Sequence, residues 1–201
     1  MALDTSTQLL TLEQGRNFLS IKGNKSDADI EDAIESVTDQ VENYLGRTLK
    51  TATYTNELYS GSGRDRLHLN QWPVTTLTTV EFRQSFSETS ISWKAQTFTI
   101  NNNVFIEPRG LRQIMFLDRI FPGGRLNVRV TYIAGYTALP SDILEAAKEA
   151  LLDLWKVRDK KLAGVTSASL QGQSASFEFP PKSGLPKRVE QLLNSYRRID
   201  L

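Results

Sequence analysis

The chain has 201 residues, enough for one domain, or for one domain with a large insertion, and for a sizeable core. Hydrophobic residues make up 39% and charged residues 23%, as in ordinary globular proteins, and the net charge is +1. With no cysteine and one histidine, the composition excludes a disulfide framework, a thiolate metal site and a histidine cluster. We expect neither a secretion signal nor a membrane anchor, because no stretch approaches the roughly eighteen apolar residues that a span requires.

The charges are unevenly distributed along the chain. Residues 1–46 hold three basic and nine acidic residues, a net charge of −6 that leaves +7 for residues 47–201. The simplest interpretation is a set of solvated faces. The alternative is that an acidic surface of one copy contacts a basic surface of another, because complementary charges guide association. This balance does not indicate a general affinity for nucleic acid.

Two helices are predicted in the first 50 residues. Thr11 and Gln14 have the spacing of a capping box and start a short helix near 11–20. Ser26 and Asp29 repeat this signal, and apolar residues at every third or fourth position predict a helix over 26–45 that ends at Gly46. Acidic residues cluster near its start, where the helix dipole favours negative charge. They are Asp27, Asp29, Glu31, Asp32 and Glu35.

The middle of the chain has the pattern of β-strands. Short alternating segments are separated by Gly, Pro and Asn turns, which predicts an antiparallel sandwich or a partly closed barrel. The predicted strands are 53–59, 66–69, 75–83, 97–100, 104–107, 114–117 and 126–133. In the last strand the alternation predicts one core-facing row, formed by Leu126, Val128, Val130 and Tyr132.

Two more helices are predicted after the strands, near 141–160 and 186–198, the first following Pro140 and the second starting at Pro186. Between them, residues 163–177 carry no charge, and the apolar residues Phe177 and Phe179 stand at and just beyond the end of this segment. A loop of this length is uncommon in a compact domain. We therefore expect the ribbon, residues 163–183, to be flexible or to order against another molecule, such as a second copy of the chain.

The predicted fold class is α+β, with a small helical bundle and an inserted antiparallel β domain. Residues 1–50 and 136–201 are predicted to form the helical domain, which carries the flexible ribbon. Residues 51–135 are predicted to form the β domain. In the sequence, the β domain is thus inserted between the second and the third helix.

The sequence contains almost no motif typical of a catalytic or ligand-binding site. His68 alternates with Leu67 and Leu69, which makes it a polar-face residue of a strand. The acidic run 27–35 lacks the mid-loop glycine of a calcium loop, and the glycine pairs near 61 and 123 lack the lysine of a phosphate-binding loop. We predict no catalytic, cofactor-binding or metal-binding residues and no enzyme activity. Two alternatives remain: a carbohydrate- or protein-binding module that exposes Trp93 for stacking, and, more distantly, a metal-dependent hydrolase with oxygen ligands.

The order of several segments resembles that of the head-to-tail connector proteins of tailed bacteriophages, also called adaptor or head-completion proteins. The resemblance covers nearly the whole chain. Its most specific parts are YSGSG at 59–63 followed by WPV at 72–74, and YIAGY at 132–136 followed by Pro140. The other parts are the helix at 26–45, the helix after Pro140, the segment GVTSASLQGQSASFEFP at 164–180 and LPKRVEQLLNSYRR at 185–198.

The resemblance implies a virion protein of the neck, assembled in the host cytoplasm as a ring, usually of twelve copies, below the portal. Such a ring extends the DNA channel, helps to retain the genome and docks the tail terminator or stopper protein. Double-stranded DNA passes without sequence-specific binding, and no catalysis, cofactor or membrane is involved. We expect contact with the portal or the adjacent copy through Leu170, Phe177, Phe179, Lys187, Arg188, Tyr196, Arg197 and Arg198. The acidic residues of the helix over 26–45 are expected to face a neighbouring copy.

Overall fold

The structure is a computed structural model that describes residues 8–86, 91–102, 104–106, 112–159, 167–170, 173–176 and 184–197. The chain divides into two compact units. The helical unit comprises Met1–Arg47 and Ala138–Leu201, and the β unit comprises Thr48–Thr137. The predicted α+β class is confirmed, since the described elements are helices and antiparallel sheets.

The helical unit is built around α3. Its helices are α1 (Leu12–Leu19), α2 (Asp27–Leu45), α3 (Ser141–Asp159) and α4 (Lys187–Leu193), and a 3-10 turn follows at Asn194–Tyr196. The helix α3 contacts each of the other three, while α1 also packs on α2. Their facing apolar stripes form the core of the unit, which includes Ile30, Ile34, Val37, Val41, Ile143, Ala147, Leu151, Val189 and Leu193.

Local chemistry explains where the first two helices begin and end. The capping box at α1 is confirmed, because the Thr11 hydroxyl accepts from the Gln14 amide and the Gln14 side chain accepts from the Thr11 amide. The stop at Gly46 is also confirmed, with φ of 68° in the left-handed region. The helix start predicted at Ser26 is confirmed, since Ser26 is the N-cap residue of α2, but the capping box expected there is wrong, because the Ser26 side chain makes no cap hydrogen bond. Asp27, next in the chain, is instead bound by the guanidinium group of Arg16 from α1.

The β unit is a sandwich of two antiparallel sheets. Its strands are β1 (Ala52–Gly61), β2 (Arg66–His68), β3 (Val74–Phe86), β4 (Ile91–Ala95), β5 (Val104–Ile106), β6 (Gln113–Phe116) and β7 (Gly124–Ala134). One sheet has the order β1-β7-β3-β4 and the other β2-β6-β5. The inner faces share one core, in which the rings of Phe82, Phe116 and Phe121 meet with centroids 5.0 to 6.3 Å apart. His68 is exposed between buried Leu67 and Leu69, as predicted.

The strand predicted at 97–100 is wrong. The fourth strand is Ile91–Ala95, which pairs with an extension of β3 so that Glu81 lies opposite Ala95 and Phe86 opposite Ile91. After it, the Gln96 amide still donates to the Val80 carbonyl at 2.7 Å, but residues 97–99 are not in a strand. The position of the fourth strand thus depends on which segment pairs with the long β3, and that pairing is set by tertiary contacts.

The prediction that Leu126 faces the core is also wrong, although Val128, Val130 and Tyr132 are buried as expected. Leu126 is 53% exposed and has φ of 46°. Asn127 is buried instead, because its Oδ1 accepts from the Gly61 amide at 2.9 Å and its Nδ2 donates to the Pro122 carbonyl at 2.7 Å. These two polar bonds interrupt the alternation at the start of β7.

Two further strands, which the sequence did not predict, lie within the ribbon. They are β8 (Ser167–Leu170) and β9 (Gln173–Ser176), and they pair antiparallel to form a two-stranded sheet. Phe177, Phe179 and Arg198 lie outside the described residues.

We expect Gly135→Ala to destabilise the protein strongly. Gly135 has φ of +115°, and an added Cβ would lie 2.3 Å from the Lys50 carbonyl oxygen, so the backbone itself would have to move. The expected loss in the free energy of unfolding is at least about 2 kcal/mol, measured by urea denaturation. Gly123→Ala is the matched control, since its Cβ would meet only the Gly63 nitrogen at 3.8 Å. Equal stability of the two variants would contradict the prediction.

Candidate assembly surfaces

The helix α2 carries a row of acidic side chains on its solvent side. Asp29, Asp32, Glu35 and Asp39 are exposed and follow one another at three or four residues, so they share one face, here called the acidic stripe. The opposite face of α2 is buried. Within the described part of the chain, no carboxylate of the acidic stripe forms a salt bridge, so the stripe is open to an external partner. Asp39 was missed in the sequence, although its spacing from Glu35 is the signal that places it there.

The other two acidic residues predicted on this helix lie elsewhere. Asp27 is half-buried against α1, where its Oδ1 accepts from the Arg16 Nε at 2.6 Å. Glu31 is half-buried and lines a shallow recess beside α1, together with Gln8, Thr11, Leu12, Glu13 and Arg16. The structure therefore brings Asp29, Asp32 and Glu35 together and separates Asp27 and Glu31 from them.

Three basic side chains predicted near the C-terminus are exposed. Lys187 and Arg188 lie at the start of α4, and the Arg188 side chain is 75% exposed although its Nε lies 3.0 Å from Glu149 Oε1 of α3. Arg197 follows the 3-10 turn, with its guanidinium carbon 5.3 Å from the centre of the Tyr44 ring. We call Lys187, Arg188 and Arg197 the basic surface. An ion pair this exposed contributes little stability, so the Arg188 charge remains able to bind another molecule.

Tyr196, also predicted as a contact residue, is held within the helical unit. Its carbonyl oxygen accepts from the Nε of buried Arg47 at 3.1 Å, and its hydroxyl lies 3.4 Å from Asp142 Oδ2. It is half-buried, so its contacts fasten the segment after α4 to α2 and α3. Leu170 belongs to β8.

A cluster of three titratable groups lies in the β unit, and sequence reasoning missed it. The hydroxyls of Tyr59 and Tyr132 both donate to Glu57 Oε2 at 2.5 Å, and Asn70 Nδ2 donates to Glu57 Oε1 at 2.8 Å. The amides of Asn70 and Gln71 donate to the two phenol oxygens at 3.1 and 3.3 Å. We call these five residues the tyrosine network. Its polar groups satisfy one another, so it anchors the segment at residues 70–71 to β1 and β7.

Burial raises the pKa of both Tyr59 and Tyr132 well above the ordinary value of a phenol, and the hydrogen bond to Glu57 raises each pKa further. A phenolate beside a carboxylate in a buried site is costly, so both phenols stay protonated and act as donors. Such protonated, fully bonded phenols are suited to a structural role.

Trp93, the stacking residue of the alternative binding module, is half-buried. The guanidinium carbon of Arg129 lies 4.8 Å from the centre of its ring, and Arg129 Nε is held by Glu81 Oε2 at 2.5 Å. One face of the ring is therefore already covered.

No group of three or more His, Asp or Glu side chains that could hold a metal ion occurs among the residues that the structure describes. None of the described helices is long and apolar enough to cross a lipid bilayer.

These features define a class: an α+β protein in which a β sandwich is inserted into a helical unit that displays separate acidic and basic surfaces. The chain belongs to the head completion protein family, whose model matches residues 8–199. The resemblance inferred from the order of the sequence segments is thereby confirmed. A search of curated protein sequences found no match.

Solved structures share the fold at low sequence identity. A chain described as "Neck of native GTA particle computed with C12 symmetry" matches with a TM-score of 0.60 and 16% identity, covering 100% of this chain and 94% of that chain. A chain described as "Neck of empty GTA particle computed with C6 symmetry" matches with a TM-score of 0.56 and 16% identity, covering 100% and 95%. At this identity the likeness establishes the fold alone.

Proposed function

We propose that this chain is a structural protein of the phage virion neck, and that twelve copies form a ring below the portal protein. The observation that carries the proposal is the family match over residues 8–199, supported by full-length similarity in fold to chains from particle necks, one computed with C12 symmetry. The ring would extend the DNA channel, help to retain the genome and provide the docking surface for the tail terminator or stopper protein.

In this role the chain acts by assembly, without catalysis or a cofactor. It joins the particle in the host cytoplasm and remains in the virion neck, with no membrane contact. Double-stranded DNA passes through the channel without sequence-specific binding. The net charge of +1 supports this part of the proposal, since tight retention of phosphates would need a strongly basic surface.

The contacts between copies are proposed to use the charged surfaces of the helical unit. The acidic stripe of one copy would face the basic surface of the next, since opposite charges set the register of an interface and like charges exclude wrong ones. The two surfaces lie on α2 and near α4, which both pack on α3, so one copy can present both. Asp27 and Glu31 would stay in contacts with α1.

The ribbon and the end of the chain are proposed to reach the portal or the adjacent copy, through Leu170, Phe177, Phe179 and Arg198. Tyr196 would act indirectly, by holding the chain end in place. We also propose that residues 51–135 behave as a separate β domain that faces the tail or the outside of the ring.

The test is assembly of purified protein with portal-bearing heads, viewed by electron microscopy. We expect full-length protein to add a ring below the portal, and a variant that lacks residues 166–180 to remain folded but fail to join the heads. Circular dichroism and thermal unfolding check the fold of the deletion variant. Normal joining by that variant would rule out a role for the ribbon, and full-length protein that never joins heads would overturn the neck proposal.

A further inference from the structure

The antiparallel pair β8–β9 has two outer edges. Ser167 lies opposite Ser176, Ala168 opposite Ala175, Ser169 opposite Ser174 and Leu170 opposite Gln173, with no shift in register. Within the part of the chain that the structure describes, this sheet has two strands only. Each outer edge thus presents backbone N–H and C=O groups that another strand can bind.

Nothing in the sequence of these strands protects the edges. Proteins usually block an edge with a lysine, a proline or a bulge. The strands β8 and β9 read SASL and QSAS, without a charge, a proline or an irregularity. A two-stranded sheet is marginally stable in water by itself, whereas added strands stabilise it. Each outer edge of the pair can therefore bind a further strand, and that strand would stabilise the sheet.

We propose that β9 of one copy pairs with β8 of the next copy, so that the ribbons of a ring join into one closed sheet. This inference rests on the ring proposed above. A second copy fits these edges because two uncharged edges meet without charge repulsion, and because the N–H and C=O groups of one strand edge complement those of another. The contact is head-to-tail, the type of interface that closes into rings.

Rotational symmetry fits this arrangement. Every β8 in a ring has the same direction along the axis, and every β9 has the opposite direction, so each β9 meets the next β8 antiparallel. The joined sheet alternates in direction throughout and has no free edge after closure. For twelve copies, about 24 strands at about 4.8 Å spacing give a circumference of about 115 Å and a diameter of about 37 Å before strand tilt widens it. Such a ring encloses a channel.

Disulfide cross-linking between two single-cysteine variants tests the pairing. The natural chain has no cysteine, so its own copies cannot form a disulfide with one another. Ser167→Cys and Ser176→Cys each carry one thiol, and an internal bridge is impossible. Strand neighbours have Cα atoms about 4.5 to 5.5 Å apart, within the range for a disulfide. Identical positions in adjacent copies lie two strands, or about 9.6 Å, apart, which is beyond the range.

We expect a mixture of the two variants, assembled on portal-bearing heads and oxidised, to give covalent dimers at least tenfold above either variant alone. Ser169→Cys mixed with Ser174→Cys tests a second pair in the same register. Ser167→Cys mixed with Ser174→Cys, and Ser169→Cys mixed with Ser176→Cys, test a register shifted in either direction. Rings without excess dimer in any combination would overturn the joined sheet and leave the neck proposal intact. Absence of rings would overturn both. A disulfide from a single variant to a cysteine introduced into the portal protein, without dimers in the mixture, would show that the edges bind the portal instead.

Discussion

Asp32→Lys combined with Glu35→Lys is expected to abolish ring formation, while the fold of the monomer is unchanged. Both side chains are exposed on the acidic stripe and form no salt bridge within the described part of the chain. If the stripe faces the basic surface of the next copy, each reversal replaces an attraction by a repulsion at every interface. One exposed pair is worth only about 0.2 to 1 kcal/mol, but the effect recurs around the closed ring.

A charge swap makes this prediction specific. Lys187→Glu combined with Arg197→Glu should fail in the same way, and a chain that carries all four reversals should again form rings. Electron microscopy and sedimentation measure the assembled fraction. Assembly of the natural chain should also weaken with added salt, since the screening length falls from about 8 Å at 0.15 M to about 3 Å at 1 M.

The matched control reverses two exposed acidic residues outside the stripe, Glu13→Lys and Asp153→Lys, with the same change in net charge. This control is expected to assemble normally. If it also fails, net charge rather than the stripe governs assembly. If the four-reversal chain stays monomeric while both two-residue variants are folded, the proposed pairing of these surfaces is wrong.

Removal of both phenol hydroxyls from the tyrosine network is expected to give the largest loss of stability. Tyr59→Phe combined with Tyr132→Phe leaves Glu57 Oε2 without its two donors and removes the acceptors of the Asn70 and Gln71 amides. Hydrogen bonds to a charged group contribute about 1.5 to 3 kcal/mol each, so we expect the free energy of unfolding to fall by about 4 kcal/mol. Urea denaturation at pH 7 measures this loss.

The same network predicts how stability depends on alkaline pH. Because burial raises the pKa of both phenols in the folded state above about 10, their value in the unfolded chain, the unfolded state loses protons first as the pH rises. Their contribution is therefore complete below pH 10 and decreases above it, by about 1.4 kcal/mol per pH unit for each tyrosine. The double variant should lose stability less steeply above pH 10.

Tyr44→Phe is the control for both measurements. Tyr44 is half-buried in the helical unit, and phenylalanine retains the ring that lies beneath Arg197. We expect a change in unfolding free energy below about 1 kcal/mol, as for most surface substitutions. A double variant as stable as this control, with the alkaline slope of the natural chain, would mean that the tyrosine network does not anchor the β unit.

Features that depend on neighbours in the chain were predictable. The capping box at Thr11 and Gln14 and the stop at Gly46 involve residues within one turn of each other, so short-range sequence signals sufficed to predict them. The burial of Val128, Val130 and Tyr132 follows from the period of a strand with one covered face. The family resemblance rested on the order of such local segments, which explains why it survived errors in single strands.

The candidate surfaces were predicted only in part. The sequence predicted Asp29, Asp32 and Glu35 on one acidic face of α2, but it also placed Asp27 and Glu31 there. It did not show that Arg16 of α1 binds Asp27, because that partner depends on how the helices pack. Exposure of Lys187, Arg188 and Arg197 agrees with their polar character.

The sequence by itself determined the fold class, the approximate helices, the buried rows of the strands and the family, because each is encoded in periodicity and in residues close along the chain. Only the tertiary structure decided the place of the fourth strand, the exposure of Leu126 and the meeting of Glu57 with Tyr132, which lie 75 residues apart. The physical reason is that strand partners and buried hydrogen bonds are chosen by packing between distant segments, where local preference is weak compared with the cost of leaving a polar group unbonded.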